Sequence, residues 1–256
     1  FCLGLVGFTS FAQNLPVTFK SSKTSVDVEV GGKPFTSYFF PGQGVLKKAV
    51  LFPLISAKGT TITRGYPMAP RAGERIDHPH HVGMWLNYED VNGFDYWNNS
   101  TNIIASLQNH KMGTIVHTSI VKQDAKKGLL EVAADWIDND GKGQKVLAEK
   151  TTYVFSGTAD SRTVDRITTL TAVADQVLFK DVKDGMFAIR VARQLEIPSN
   201  KPDVFTDAHG VETKVPVMDN TGVTGDYLSS EGVKGEAVWS TRAKWMNLHG
   251  EMDNHA

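Results

Sequence analysis

The chain has 256 residues, of which 41% are apolar and 21% charged, and its net charge is −1. That length can bury a full core, and all-β domains of this size are often single units. A charge so close to zero supplies no electrostatic reason to expect nucleic acid or an anionic membrane as a partner.

The opening stretch, FCLGLVGFTSFAQ, differs in kind from the rest. It is apolar and rich in small residues, ends in Ser10-Phe11-Ala12 and turns polar at Gln13, in the manner of a secretory signal and its cleavage site. Residues 1–12 are therefore expected to be a signal-peptide remnant, cut after Ala12 in a secreted or periplasmic protein; the alternative is a buried N-terminal strand. The segment is too short to span a bilayer, which takes roughly 20 residues, and every later apolar run is soon broken by charge or glycine. Cys2, the one cysteine, lies inside it. A mature chain would then carry no thiol nucleophile, disulfide or cysteine-ligated metal.

From residue 13 onward, alternation of period two dominates. In TSVDVEV, Val26, Val28 and Val30 point one way and Asp27 and Glu29 the other, until Gly31-Gly32 ends the run. Strands are expected at Pro34–Phe40, Val45–Leu51, Thr60–Arg64 and Thr114–Val121. Leu130–Ile137 and Val146–Phe155 flank DNDGKGQ, whose residues tolerate positive φ, and so read as a long hairpin. Thr163–Val173, Val177–Lys183, Met186–Leu195 and Glu236–Leu248 continue the pattern, with the strands from Leu130 to Leu195 as consecutive neighbours. About a dozen strands with Gly, Asn and Asp turns describe a large antiparallel sandwich or barrel. Residues 13–256 read as one such domain. Its last strand has no partner after it in the sequence, so the natural chain is expected to continue.

One segment stands apart, ERIDHPHHVGMWLNYEDVNGFDYWNN, from Glu74 to Asn99. Pro79 removes a backbone donor and confines its surroundings to an edge or loop. If extended, His78 and His80 would share one face and His81 take the other. Imidazoles there suit acid/base work near neutral pH, with His80 and His81 as the pair. A His78-x-His80 pair could instead chelate a divalent metal, with Glu74 or His209 completing the set; or the loop could merely order its own turns. Trp85, Tyr88, Tyr96 and Trp97 offer apolar faces with polar edges, which suit a sugar ring. Asn87, Asp90, Asn92, Asp95 and Asn98 supply donors and acceptors for hydroxyl groups. Upstream, Arg64 and Arg75 could clamp a carboxylate or keto oxygen, while Arg71 reads as a surface ion pair. The turn Asp207-Ala208-His209-Gly210 and the strand ends at Arg190 and Trp245 are weaker candidates for the same site.

The block TRGYP…GERIDHPHHVGMWLNYEDVNGFDYW resembles the hallmark of a bacterial family labelled PmoA-like, a domain of unknown function. The resemblance extends to VLAEKTTYVFSG, RTVDRITTLTA and LFKDVKDGMFAIRVA, and so to most of the chain. It implies a secreted or periplasmic setting in sugar utilisation and the β-supersandwich of galactose mutarotases. It also implies motif positions at Arg64, Glu74, Arg75, Asp77, His78, His80, His81, Trp85, Asn87, Asp90, Asn92, Asp95 and Trp97. Val82 departs from the pattern, where relatives carry arginine, and relatives continue into a second block containing His, Trp and Asn. The label suggests methane oxidation, but a true particulate methane monooxygenase subunit is a membrane protein, and no spanning helix is written here.

Together these features point to a secreted β-sandwich that takes a small carbohydrate or glycan. His80, His81 and Arg75 are its catalytic candidates. Glu74, Asp77, His78, Trp85, Asn87, Asp90, Asn92 and Trp97 are expected to bind substrate. The reaction could be isomerisation, elimination or hydrolysis of a sugar or keto-sugar. A non-catalytic carbohydrate-binding module and a His-ligated metal oxidoreductase are the alternatives.

Overall fold

The computed structural model describes residues 13–252; the expected signal remnant lies outside them. Strand makes up 42% of the structure and helix 7%. The first strands are β1 (Val17–Ser21), β2 (Ser25–Val30), β3 (Lys33–Phe39), β4 (Val50–Leu51) and β5 (Met84–Tyr88). A second run follows as β6 (Thr114–Asp124), β7 (Leu129–Ile137), β8 (Lys145–Gly157) and β9 (Arg162–Ala172), with β10 (Gly185–Ile189) after it. The first five and β10 form one antiparallel sheet in the order β1-β2-β3-β4-β5-β10, and β6 to β9 form another in chain order. Two small hairpins complete the architecture: β11 (Asp203–Thr206) with β12 (Glu212–Val215), and β13 (Asp226–Ser229) with β14 (Met246–His249). This is an all-β antiparallel sandwich.

The sheets face each other across side chains that the alternation points inward. Val26, Val28 and Val30 of β2 share a core with Leu130 and Val132 of β7 and with Tyr153 and Phe155 of β8. Each is buried, and each such apolar side chain contributes about 1.5–3 kcal/mol. A second cluster gathers around Trp136, whose indole donates to Glu149 Oε2 at 2.8 Å. The hairpin between β7 and β8 turns through Asn139 and Asp140 at φ 47° and 54° and Gly141 at φ 79°, as its residue types require.

Several expected strands are shorter or absent. Of Val45–Leu51 only β4 pairs, while Thr60–Arg64 contributes only isolated bridges at Thr61 and Thr63. Val177–Lys183 is irregular apart from a bridge at Phe179, and Glu236–Leu248 is strand only from Met246. The run of consecutive neighbours ends at β9. The next strand, β10, leaves that sheet and pairs with β5 in the other, Gly185 opposite Tyr88 and Ile189 opposite Met84.

That pairing positions the site, and Gly83 sets it up. Its φ is +60°, and a Cβ there would lie 2.1 Å from the carbonyl oxygen of Leu51. Replacing Gly83 with alanine should therefore cost about 1–3 kcal/mol through backbone strain and displacement of β4 from β5. Thermal unfolding measures this, and an unchanged midpoint would contradict the steric account.

Candidate functional site

The His-Pro-His-His segment is a turn rather than an extended strand. His78 adopts φ +43°, and the amide of His81 donates to the carbonyl of His78 at 2.9 Å. The expected placement of His81 on the face opposite His78 and His80 is thereby corrected. All three imidazoles meet: His78 stacks parallel on His81 with centroids 4.7 Å apart, and His80 stands edge-on to both, at 5.5 and 4.3 Å. His81 in turn stacks on Trp85 at 5.0 Å, so a column of rings runs from exposed His78 down to the core.

Arg64 holds this turn from inside. It is 1% exposed, and its Nη1 donates to Asp77 Oδ1 at 2.5 Å and to the carbonyl of Asp77 at 2.9 Å. Its Nη2 donates to the carbonyls of His78 and His81 at 2.9 and 3.2 Å. Lys48 supports the other side: its Nζ donates to the carbonyl of His80 at 2.7 Å and lies over the Trp85 ring. Burial pushes that ammonium down to about 7.

The pairing of β5 with β10 brings a second arginine to the turn. The amide of Arg190 donates to the carbonyl of Gly83 at 2.9 Å, and its Nη2 donates to Asp77 Oδ1 at 2.8 Å. Asp77 thus sits between two guanidinium groups, and its Oδ2 is 2.7 Å from His78 Nδ1. Burial alone would raise this carboxyl, but the His78 hydrogen bond and the charges of Arg190 and Arg64 outweigh it and hold it well below the usual range. The other imidazoles differ. Burial first, then the charge of Lys48, pushes His80 down to about 2. Burial and the neighbouring imidazoles lower His81 further. Both rings are neutral near pH 7, and the Nε2 of each is buried without a hydrogen-bond partner among the described residues.

Beside this turn lies a cleft of about 440 Å³, bounded by His81, Arg75, Arg190, Glu196, Lys201 and Tyr227, with the edges of Trp85 and Trp97 beneath. Arg75 Nη1 is 2.6 Å from Asp203 Oδ2. Its Nε is 2.8 Å from Glu196 Oε2, without the alignment of a hydrogen bond.

The remaining expected site residues lie elsewhere or are already engaged. His80 is 3% exposed and does not line the cleft. Glu74 accepts from the amides of Gly65 and Tyr66 and pairs with Arg71, so it orders the preceding loop. Asn87 is fully buried, accepting from the Trp85 indole at 3.0 Å and donating to the Tyr96 carbonyl at 2.7 Å. Neither end of that amide is left for a hydroxyl group. Asp90 and Asn92 sit in a turn, accepting from the amides of Gly93 and Leu178, away from the histidines. Trp85 and Trp97 are 1% and 6% exposed, core residues that show the cleft only an edge. His209 is exposed in the turn of the β11–β12 hairpin and does not line the cleft. For a metal, Asp77 takes His78 Nδ1 but leaves its Nε2, while His80 is buried. Among the described residues no group of three or more His, Cys, Asp or Glu side chains is placed to hold an ion. Glu196 and Tyr227, which line the cleft, and Asp203, which pairs with Arg75, carried no signal in the sequence: each is isolated, and only the tertiary fold brings them together.

Fold and site together define an antiparallel β-sandwich whose rim carries a histidine turn locked by buried arginine. The chain belongs to a family of unknown function (DUF6807), whose model matches residues 25–256. No curated protein matches the sequence. No solved structure matches it either. Among the described residues no helix is long and apolar enough to cross a membrane.

Proposed function

We propose that the cleft beside the histidine turn binds a sugar or keto-sugar and that His78, which is not in the lining but stacks on the lining residue His81, moves a proton on it, in a secreted or periplasmic enzyme. The observation that carries this reading is the His78–Asp77 pair. A carboxylate fixed by two arginines accepts from Nδ1 at 2.7 Å, which sets the tautomer of the ring and leaves Nε2 of an exposed imidazole for substrate. Proton transfer at a positioned imidazole is the step shared by isomerisation, elimination and hydrolysis. The role first given to His80 and His81 thus passes to His78. His81 becomes the floor on which a sugar ring rests, and Arg75 and Arg190 are placed to polarise an oxygen. The sequence resemblance to a family with the β-supersandwich of galactose mutarotases supports the same substrate class.

The test is a turnover screen of glycans and keto-sugars. With a substrate in hand, His78→Asn should lower the rate about a hundredfold while leaving the melting temperature close to that of the unaltered protein. Full activity in that variant would remove His78 from the mechanism. A non-catalytic binding module is the second reading, and it draws on Trp239 and Trp245, which are 72% and 55% exposed. Binding that survives His78→Asn, is lost on Trp239→Ala and comes with no turnover would select it.

A further inference from the structure

The charges around the cleft do not balance. Four guanidinium groups, those of Arg64, Arg75, Arg190 and Arg193, meet three carboxylates, Asp77, Glu196 and Asp203. Each acid is already heavily used. Glu196 Oε2 is 3.0 Å from Arg193 Nη1 as well as 2.8 Å from Arg75 Nε, and its Oε1 is 3.3 Å from Arg190 Nη2. Asp77 Oδ1 is shared by Arg64 and Arg190.

Acceptors therefore run out before donors. Arg190 shows the consequence most plainly: one nitrogen, Nη2, makes both of its ion pairs. Its Nε is buried with no partner among the described residues. The neutral imidazoles of His80 and His81 add no charge. At the rim Lys201 and Glu236 offset each other. Of the four guanidinium groups, Arg75 and Arg190 line the cleft and Glu196 lines it with them, which leaves about one positive charge there, held partly out of water. Guanidinium groups so placed receive a carboxylate better than a hydroxyl group, because a charge-assisted fork satisfies two N–H groups at once. A phosphate dianion would overshoot a single surplus charge.

We infer that the ligand of this cleft is an acidic sugar, a ring bearing one carboxylate, with that carboxylate on Arg190 and Arg75 and the ring against His81. This rests on the carbohydrate reading above and adds the class of sugar to it.

Calorimetric titration of the full chain with D-galacturonate and D-glucuronate, their methyl esters, and galactose and glucose tests it. The free acids should bind about tenfold or more tightly than the esters and the neutral hexoses. That preference should shrink as salt screens the charge. Arg190→Gln should abolish the preference. Because Arg190 also supports Asp77, that variant could unfold, and the comparison of acid with ester on the unaltered chain decides the matter without it. Equal affinity of acid and ester overturns the inference and leaves the carbohydrate reading standing. Binding by none of these sugars, together with an empty turnover screen, overturns both.

Discussion

Replacing Arg64 with leucine should destabilise the protein by about 3–5 kcal/mol, the range seen when one partner of a buried ion pair is removed. Leucine fills part of the volume but donates nothing. The carbonyls of Asp77, His78 and His81 would lose the buried donor they share, and Asp77 would keep only Arg190 among its guanidinium partners. Burial, then the charge of Arg190, pushes Arg64 down to about 10, which still leaves it charged at neutral pH. Lysine in its place would keep that charge. A point charge on a flexible stem cannot reach both Asp77 and the two histidine carbonyls, so Arg64→Lys should fall between leucine and the unaltered protein. Urea unfolding at pH 7 measures both variants. A loss below about 1 kcal/mol for the leucine variant would mean that the turn stands without its arginine, since that is the scale of one ordinary hydrogen bond.

Arg64 also marks where the sequence stops being informative. A buried arginine and a surface arginine are the same letter, and its five acceptors lie 11 to 17 residues away in an irregular loop. Period two was legible wherever one face of a strand is buried and the other is not. Burial in β7 alternates without a break, and the hairpin to β8 follows from it. The same logic failed at β5, MWLNY, where polar Asn87 is buried beside Trp85 while apolar Leu86 is only half-buried, so polarity does not follow burial and the segment read as ligand chemistry rather than strand. Asn87 was misread for that reason. A buried amide that bonds a neighbouring indole and a backbone carbonyl has the same composition as one waiting for a hydroxyl group. At Glu236–Leu248 the opposite happened, and apolar residues suggested a strand where Trp239 and Trp245 are exposed in irregular chain. The density of histidine at 78–81 did locate the turn. Of the partners that give it chemistry, Arg190 was only a weak candidate in the sequence and Glu196 none, because both arrive through the pairing of β10 with β5, a contact across about a hundred residues.

Lowering the pH from 7 to 5 should cost the protein about 4 kcal/mol through His80 and His81 alone. Both have folded values far below the unfolded value of about 6.5, so the unfolded chain takes up its protons first. Stability from these groups is therefore complete above about pH 6.5 and falls as pH drops beneath it. At pH 5 each neutral buried imidazole contributes about 2 kcal/mol to that loss. Other groups act with the same sign. Burial lowers His117 as well, and Lys48, down to about 7, finishes titrating near the top of this window. Asp77 loses its contribution only at more acid pH, as the unfolded carboxyl begins to protonate near 4. Comparison with a double variant, His80→Gln and His81→Gln, isolates the pair. Its unfolding free energy in urea should decline less between pH 7 and 5, by about the 4 kcal/mol assigned to the two rings. Equal declines in both proteins would mean that His80 and His81 ionise freely in the folded state. An imidazole that ionises freely can exchange its proton with a substrate, and the acid/base role would then return from His78 to the two rings behind it.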